Sequence, residues 1–169
     1  MTDNPTDGPK IERTFELATD AMWAVDRMRL RLRDQAHPTA TSAFWTDAMF
    51  FLIALCWLET ASRRFGETIV GGPVRDARLR FLREVPDLRA MRNVAEHAAD
   101  FALGDGHNPD IDRRGVLVGQ FDYPRFEWNL QKAGSGKSPY AIDVEGAFGA
   151  AGRLYKAMQA AFHSAAPRT

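Results

Sequence analysis

Between Phe44 and Leu58 the chain is apolar in almost every direction. Phe44, Trp45, Met49, Phe50, Phe51, Leu52, Ile53, Leu55, Trp57 and Leu58 fall in this stretch. Wound at ~100° per residue, they surround a helix on nearly all sides. Such a helix must be packed between neighbours or covered by a second subunit. Its uninterrupted core, Ala48 to Leu58, is about half of the ~20 residues a membrane span needs. The stretch therefore reads as the buried central helix of a bundle. Thr41 or Ser42 is its N-cap, and it ends around Gly66.

The flanking segments supply the helices that would cover it. From about Pro9 to Ala36, residues Ile11, Phe15, Ala18, Met22, Val25, Met28 and Leu32 recur every three or four positions and form one apolar stripe. His37-Pro38 ends that helix, because a residue before proline avoids the helical region. Gly71-Gly72-Pro73 breaks the chain. A short helix follows over about 74–84, with Ala77, Phe81 and Leu82 apolar. Pro86 then fits the first turn of a fourth helix to about Leu103, closed by Gly104. A last helix covers about Val144 to Phe162, with Phe148, Leu154, Tyr155, Met158 and Phe162 apolar.

Before that last helix the period changes. Val116, Leu117, Val118, Phe121, Tyr123, Phe126 and Trp128 are β-formers at roughly alternating spacing, with Pro124 between two runs. They predict a small β-hairpin within a loop-rich region over 105–140. Residues 1–8 read as a flexible N-terminus without a signal-peptide core. No internal repeat or low-complexity tract is present. The expectation is one mainly α domain over 1–169: an antiparallel bundle of about five helices with a hairpin inserted before the last.

Charge narrows the function classes. Lys+Arg and Asp+Glu are both 22, which argues against broad electrostatic capture of nucleic acid and leaves room for a local basic patch. Only Lys10, Lys132, Lys137 and Lys156 are lysines; the arginines that remain suit bidentate phosphate recognition. A biased coding genome explains the same excess. Cys56 is the one cysteine, so it forms no intramolecular disulfide, fits a reducing cytoplasm and reads as a small core residue.

The run Arg92-Asn93-Val94-Ala95-Glu96-His97 carries the candidate chemistry. An imidazole that moves protons near neutral pH, beside a permanent cation, is a minimal kit for phosphodiester cleavage. On the fourth helix Leu88, Met91, Val94, Ala95, Ala98, Phe101 and Ala102 form an apolar arc. Arg92, Glu96, Asn93, Asp100 and His97 lie opposite, with Arg92 and His97 at the two margins. A solvated helix face has the same composition, and the spaced pair Arg31 and His37 shows how readily it arises in an arginine-rich chain.

The asymmetry that singles out this run is Asn93 directly after the arginine, on the fourth helix of a helical core. Here the chain resembles the HEPN superfamily of helical-bundle proteins, many of which are ribonucleases and toxins. Their motif is an arginine, a polar residue that is often asparagine, and a histidine separated from the arginine by four to six residues; here four intervene. The resemblance covers about residues 10 to 104. The hairpin and fifth helix are additions to the minimal four-helix pattern.

That resemblance implies a metal-independent endoribonuclease without a cofactor, a toxin or defence component. It works as a homodimer whose subunits bring their arginine–histidine pairs together, with an antitoxin or other protein as a partner. His97 would be the general base on a ribose 2′-hydroxyl or the acid for the leaving oxygen. Arg92 would hold the scissile phosphate and stabilise its developing charge. Asn93 would orient the phosphate or the imidazole. Glu96 takes no role from the family. The alternative is a non-catalytic interaction module of the same fold.

Other clusters are weaker. Asp105, His107, Asp110 and Asp112 lack the terminal glutamate of a calcium loop and read as a polar turn. Gly134-Ser135-Gly136-Lys137-Ser138 lacks the first glycine of a phosphate-binding loop and reads as a flexible connection. Phe121, Tyr123, Phe126 and Trp128 offer base-stacking surfaces, but covering the helical core uses them equally well.

Overall fold

The computed structural model describes residues 7–34, 42–68, 71–96, 119–131 and 139–165. They form a mainly helical bundle with a small antiparallel sheet. The helices are α1 (Asp7–Asp34), α2 (Ser42–Gly66), α3 (Gly71–Glu84), α4 (Leu88–Glu96) and α5 (Val144–Ala165). The strands are β1 (Gly119–Asp122), β2 (Arg125–Gln131) and β3 (Pro139–Asp143), in the order β1-β2-β3.

Helix α2 is the axis of the core. It packs against α1, α3, α4 and α5, and Phe51, Leu52, Leu55, Leu58 and Phe65 are fully buried. By length and composition alone, Phe44–Gly66 is apolar enough to cross a membrane, with a mean hydropathy of 1.3. Here its apolar surface is largely taken up by the neighbouring helices. Its two acids are also buried: Asp47 meets Arg31 of α1 at 2.9 Å, and Glu59 meets arginines from α3 and α4. A buried carboxylate is tolerated when a cation and hydrogen bonds replace its water.

Helix α1 lays its predicted stripe on this core: Ala18, Val25 and Leu32 are fully buried. Phe15 stacks between α5 rings, 4.4 Å from Phe162 and 5.7 Å from Tyr155 between centroids. Helix α5 is a core member rather than an addition to a four-helix unit. It packs against α1, α2 and α3, burying Val144, Ala147, Ala150, Ala151, Leu154, Met158 and Ala161. The small side chains on this face let α3 come close. Helix α4 instead flanks the bundle, resting on α2 and β3 through the buried Leu88 and Met91.

Several boundaries differ from expectation. Helix α1 begins at Asp7, inside the segment expected to be flexible, and α4 begins at Leu88, after a turn that holds Pro86. Gly71 to Pro73 open α3 instead of only separating it from α2, since proline in a first turn forfeits no helical hydrogen bond. The predicted hairpin is two strands of a three-stranded meander. β1 and β2 pair from Gly119↔Trp128 to Asp122↔Arg125 across the turn Tyr123-Pro124, whose peptide bond is cis. β3 then pairs with β2, Phe126 opposite Ile142. Phe126 and Ile142 are buried and bring the sheet onto the core. Asp143 caps α5, its Oδ1 accepting the Glu145 N–H at 3.1 Å. The side chains of Phe121 and Trp128, the continuation of the fourth helix beyond Glu96, residues 1–6, and the loops at 105–112 and 134–138 lie outside the described residues.

Candidate functional site

An open cleft of about 850 Å³ lies where α2, α3 and α4 meet. Helix α2 contributes Cys56, Glu59, Thr60 and Arg63; α3 contributes Arg78; and Pro86 leads into α4, which contributes Arg89, Ala90, Arg92 and Asn93. The cleft therefore has four guanidinium groups and one carboxylate in its lining. Among the described residues its other walls carry no aromatic side chain.

Glu59 organises the cleft. One of its oxygens, Oε1, accepts from Arg78 Nε at 2.7 Å and Arg89 Nη2 at 2.9 Å, and lies 2.7 Å from Arg78 Nη2. The carboxylate is buried and the Arg78 side chain nearly so, whereas the Arg89 side chain remains 63% exposed. Three helices are thus fastened at one charged point, and two arginines are presented in fixed positions. Charge-assisted hydrogen bonds of this kind are about twice as strong as neutral ones.

Arg92 and Asn93 face this cleft from α4. The Arg92 guanidinium is held by Glu96 one turn along: Nε donates to Oε2 at 2.8 Å, and Nη2 lies 2.6 Å from the same oxygen. Both residues are partly exposed, which suits an interaction that a competing anion can open. His97 follows Glu96 in the chain and lies outside the described residues. Two of the three residues singled out in the sequence are therefore together on one wall.

The thiol of Cys56 contributes no nucleophile to the cleft. Burial pushes it up to about 11, with the Arg92 cation opposing the rise and the Glu59 carboxylate reinforcing it. A thiol with that value is almost wholly protonated at neutral pH.

Sequence reasoning missed Glu59, Arg63, Arg78 and Arg89. One signal was available: apart from Asp47, Glu59 is the only acid in the apolar α2 stretch. An acid buried there requires cations from neighbouring helices.

On the other side of Thr60 lies a second, apolar groove of about 340 Å³, between Thr14, Leu17 and Asp20 of α1 and Trp57, Thr60, Ala61 and Arg64 of α2. Thr60 lines both depressions. Leu17, Phe50 and Trp57 are 58%, 51% and 61% exposed. Phe50, the half-buried Ile53 and Trp57 follow at spacings of three and four, and the described residues leave this ridge of the central helix open.

A polar junction elsewhere joins the sheet to the bundle. Tyr123, in the β1–β2 turn, donates its hydroxyl to Glu145 at the start of α5. Arg29 of α1 reaches the same carboxylate at 3.2 Å and Asp26 at 2.8 Å, and lies 4.3 Å over the Phe148 ring. Burial, then the Glu145 contact, pushes the Tyr123 phenol up to about 12. The hydrogen bond from Tyr123, helped by Arg29 against partial burial, holds the Glu145 carboxyl below its ordinary value. The junction ties three elements together and faces no cavity lined by the predicted site residues.

No known protein family, characterised protein or solved structure matches the chain.

Proposed function

We propose that the chain is a HEPN-type, metal-independent endoribonuclease acting as a toxin or defence component, with Arg92, Asn93 and His97 as its catalytic residues. The observation that carries this reading is that Arg92 and Asn93 both line a cleft with three further arginines. In the proposed reaction the imidazole of His97 takes the proton of a ribose 2′-hydroxyl. The 2′-oxygen attacks the adjacent phosphorus, and the bond from phosphorus to the 5′-oxygen breaks. The leaving oxygen takes a proton from the imidazole of the second copy. The products are a 2′,3′-cyclic phosphate and a 5′-hydroxyl end. Arg92 leaves Glu96 to bind the phosphoryl oxygens, where its planar fork stabilises the charge that develops.

The homodimer that this reading requires is supported by the uncovered ridge of α2. Exposed apolar patches rimmed by charge mark interaction surfaces, and Asp20 and Arg64 border this one with opposite charges. A second copy brings the same pair in reverse order, as a two-fold contact requires. Because Thr60 borders both grooves, each cationic cleft would lie beside that contact.

A non-catalytic interaction module is the second reading. It is favoured by the same ridge and by the pairing of Arg92 with Glu96. An RNA with one cleavable site, incubated in excess chelator, separates the two. The nuclease reading requires cleavage that stops when the ribose 5′ to the scissile phosphate is made 2′-deoxy. An intact RNA, or equal cleavage of the deoxy-substituted strand, excludes the mechanism.

A further inference from the structure

We propose that Arg63 and Arg89 form a second phosphate subsite, so that the α2–α3–α4 cleft holds the backbone of single-stranded RNA on the side of Arg92 remote from the α4 C-terminus. The proposal rests on the nuclease reading and adds to it the residues that grip the substrate beside the scissile phosphate.

The cleft suits a chain of phosphates for three reasons. Its cations are arginines from different helices, and three of them keep exposed side chains: 44% for Arg63, 63% for Arg89 and 41% for Arg92. Among the described residues Arg89 gives Nη2 to Glu59, and a guanidinium carries five N–H donors. Arg63 has a loose partner in Glu67, at 3.9 Å. Arg78, by contrast, is nearly buried and spends both Nε and Nη2 on Glu59; it holds the wall rather than the ligand.

The second reason is the lining. Among the described residues of the lining, Cys56, Thr60, Pro86 and Ala90 offer no aromatic ring on which a base could stack. A site for a free nucleotide places the base against an apolar or aromatic wall. This cleft offers charge and width, which matches a sugar–phosphate backbone with its bases turned outward. The third reason is placement. Arg89 precedes Arg92 by one turn on α4, and residues three apart on a helix are neighbours at ~5–6 Å. That spacing lets the two guanidinium groups meet neighbouring phosphates of one strand.

The test uses the full chain carrying His97→Ala, so that binding is read without cleavage. The probe is a fluorescein-labelled single-stranded oligouridylate, followed by anisotropy across a salt series. Arg63→Ala and Arg89→Ala are each expected to weaken binding about fivefold and to reduce the salt slope by ~0.7, the value for one phosphate contact on a single strand. Arg89→Lys is expected to recover part of the loss. Arg13→Ala, exposed on α1 and not part of the cleft lining, is expected to bind as the parent does. Because Arg63 does not touch Glu59, its variant reports on the subsite even if Arg89→Ala loosens α4. Unchanged binding in Arg63→Ala and Arg89→Ala overturns the proposal, as does an equal loss in Arg13→Ala. Arginine-dependent binding by a protein that never cleaves RNA sinks the nuclease reading and leaves the subsite standing. Cleavage that ignores Arg63 and Arg89 does the reverse.

Discussion

Arg92 and Glu96 form an ion pair along α4, with Nη2 2.6 Å from the carboxylate oxygen. The arginine precedes the glutamate by four residues, the less favourable order for such a pair on a helix. A partly exposed pair of this kind is worth about 0.3–0.5 kcal/mol, far less than a guanidinium gains from a phosphate in a cleft of like charges. In the nuclease proposed above, Glu96 would therefore hold Arg92 ready without withholding it. Glu96→Gln is expected to tighten RNA binding severalfold and to steepen its salt dependence. The same anisotropy titration checks this, and unchanged affinity would show that Glu96 does not compete with the ligand.

Glu59 is the charged fastening of the bundle. Its removal leaves Arg78 nearly buried without a carboxylate, and breaking a buried pair by deleting one partner costs about 3–5 kcal/mol. Glu59→Ala is expected to lose about 3 kcal/mol in urea unfolding, at the low end because the cleft is open to water. Arg89→Ala, whose side chain is mostly exposed, is expected to lose less than about 1 kcal/mol. Equal costs for the two would contradict the asymmetric network.

The Tyr123–Glu145–Arg29 junction makes stability depend on pH at both extremes. Glu145 is held below its ordinary value, so its contribution is complete above the unfolded carboxylate value of about 4.3. It is lost as pH falls through the lower folded value. Tyr123 is raised to about 12; its contribution is complete below the unfolded phenol value near 10 and fades as pH rises through the folded one. Tyr123→Phe removes the largest cause of the Glu145 shift. It is expected to flatten the loss of stability between about pH 5 and pH 3 by less than about 1 kcal/mol, because Glu145 is 42% exposed. Urea midpoints at several pH values test this, and an unaltered acid limb would contradict it.

The ridge of Phe50, Ile53 and Trp57 sets the expected assembly. Trp57 contributes little to the core of one copy, being 61% exposed, so Trp57→Asp is expected to keep the helical signal. A charge at the centre of an apolar contact is expected to convert a dimer to monomers. Sedimentation velocity of both proteins decides the matter. A monomeric wild type, or a Trp57→Asp dimer, would remove this ridge as the contact.

The helical part of the fold was legible because a stripe such as Ala18, Val25 and Leu32 repeats at the helical period and needs no partner to be recognised. The third strand was not. Tyr140, Ala141 and Ile142 are too few to display alternation, and their strand exists through its pairing with β2. The central place of α5 was equally hidden, since small residues such as Ala147, Ala150 and Ala151 carry little hydropathy signal but permit close packing. The apolar surroundings of α2 were readable, but not which side would remain open. At the site, Arg92 and Asn93 were singled out by the asparagine that follows the arginine on a helix, and both line the cleft. Glu59, Arg78 and Arg89 come together from three helices and have no signature along the chain.

The central claim is that the Arg92–His97 run cleaves RNA without metal. Its most direct test is the cleavage rate in excess chelator for wild type and His97→Ala at equal dimer concentration. Loss of a general acid–base group is expected to lower the rate by about 10²–10⁴-fold while RNA binding persists. Equal rates for the two proteins, or cleavage that appears only when a divalent metal is added, would contradict it.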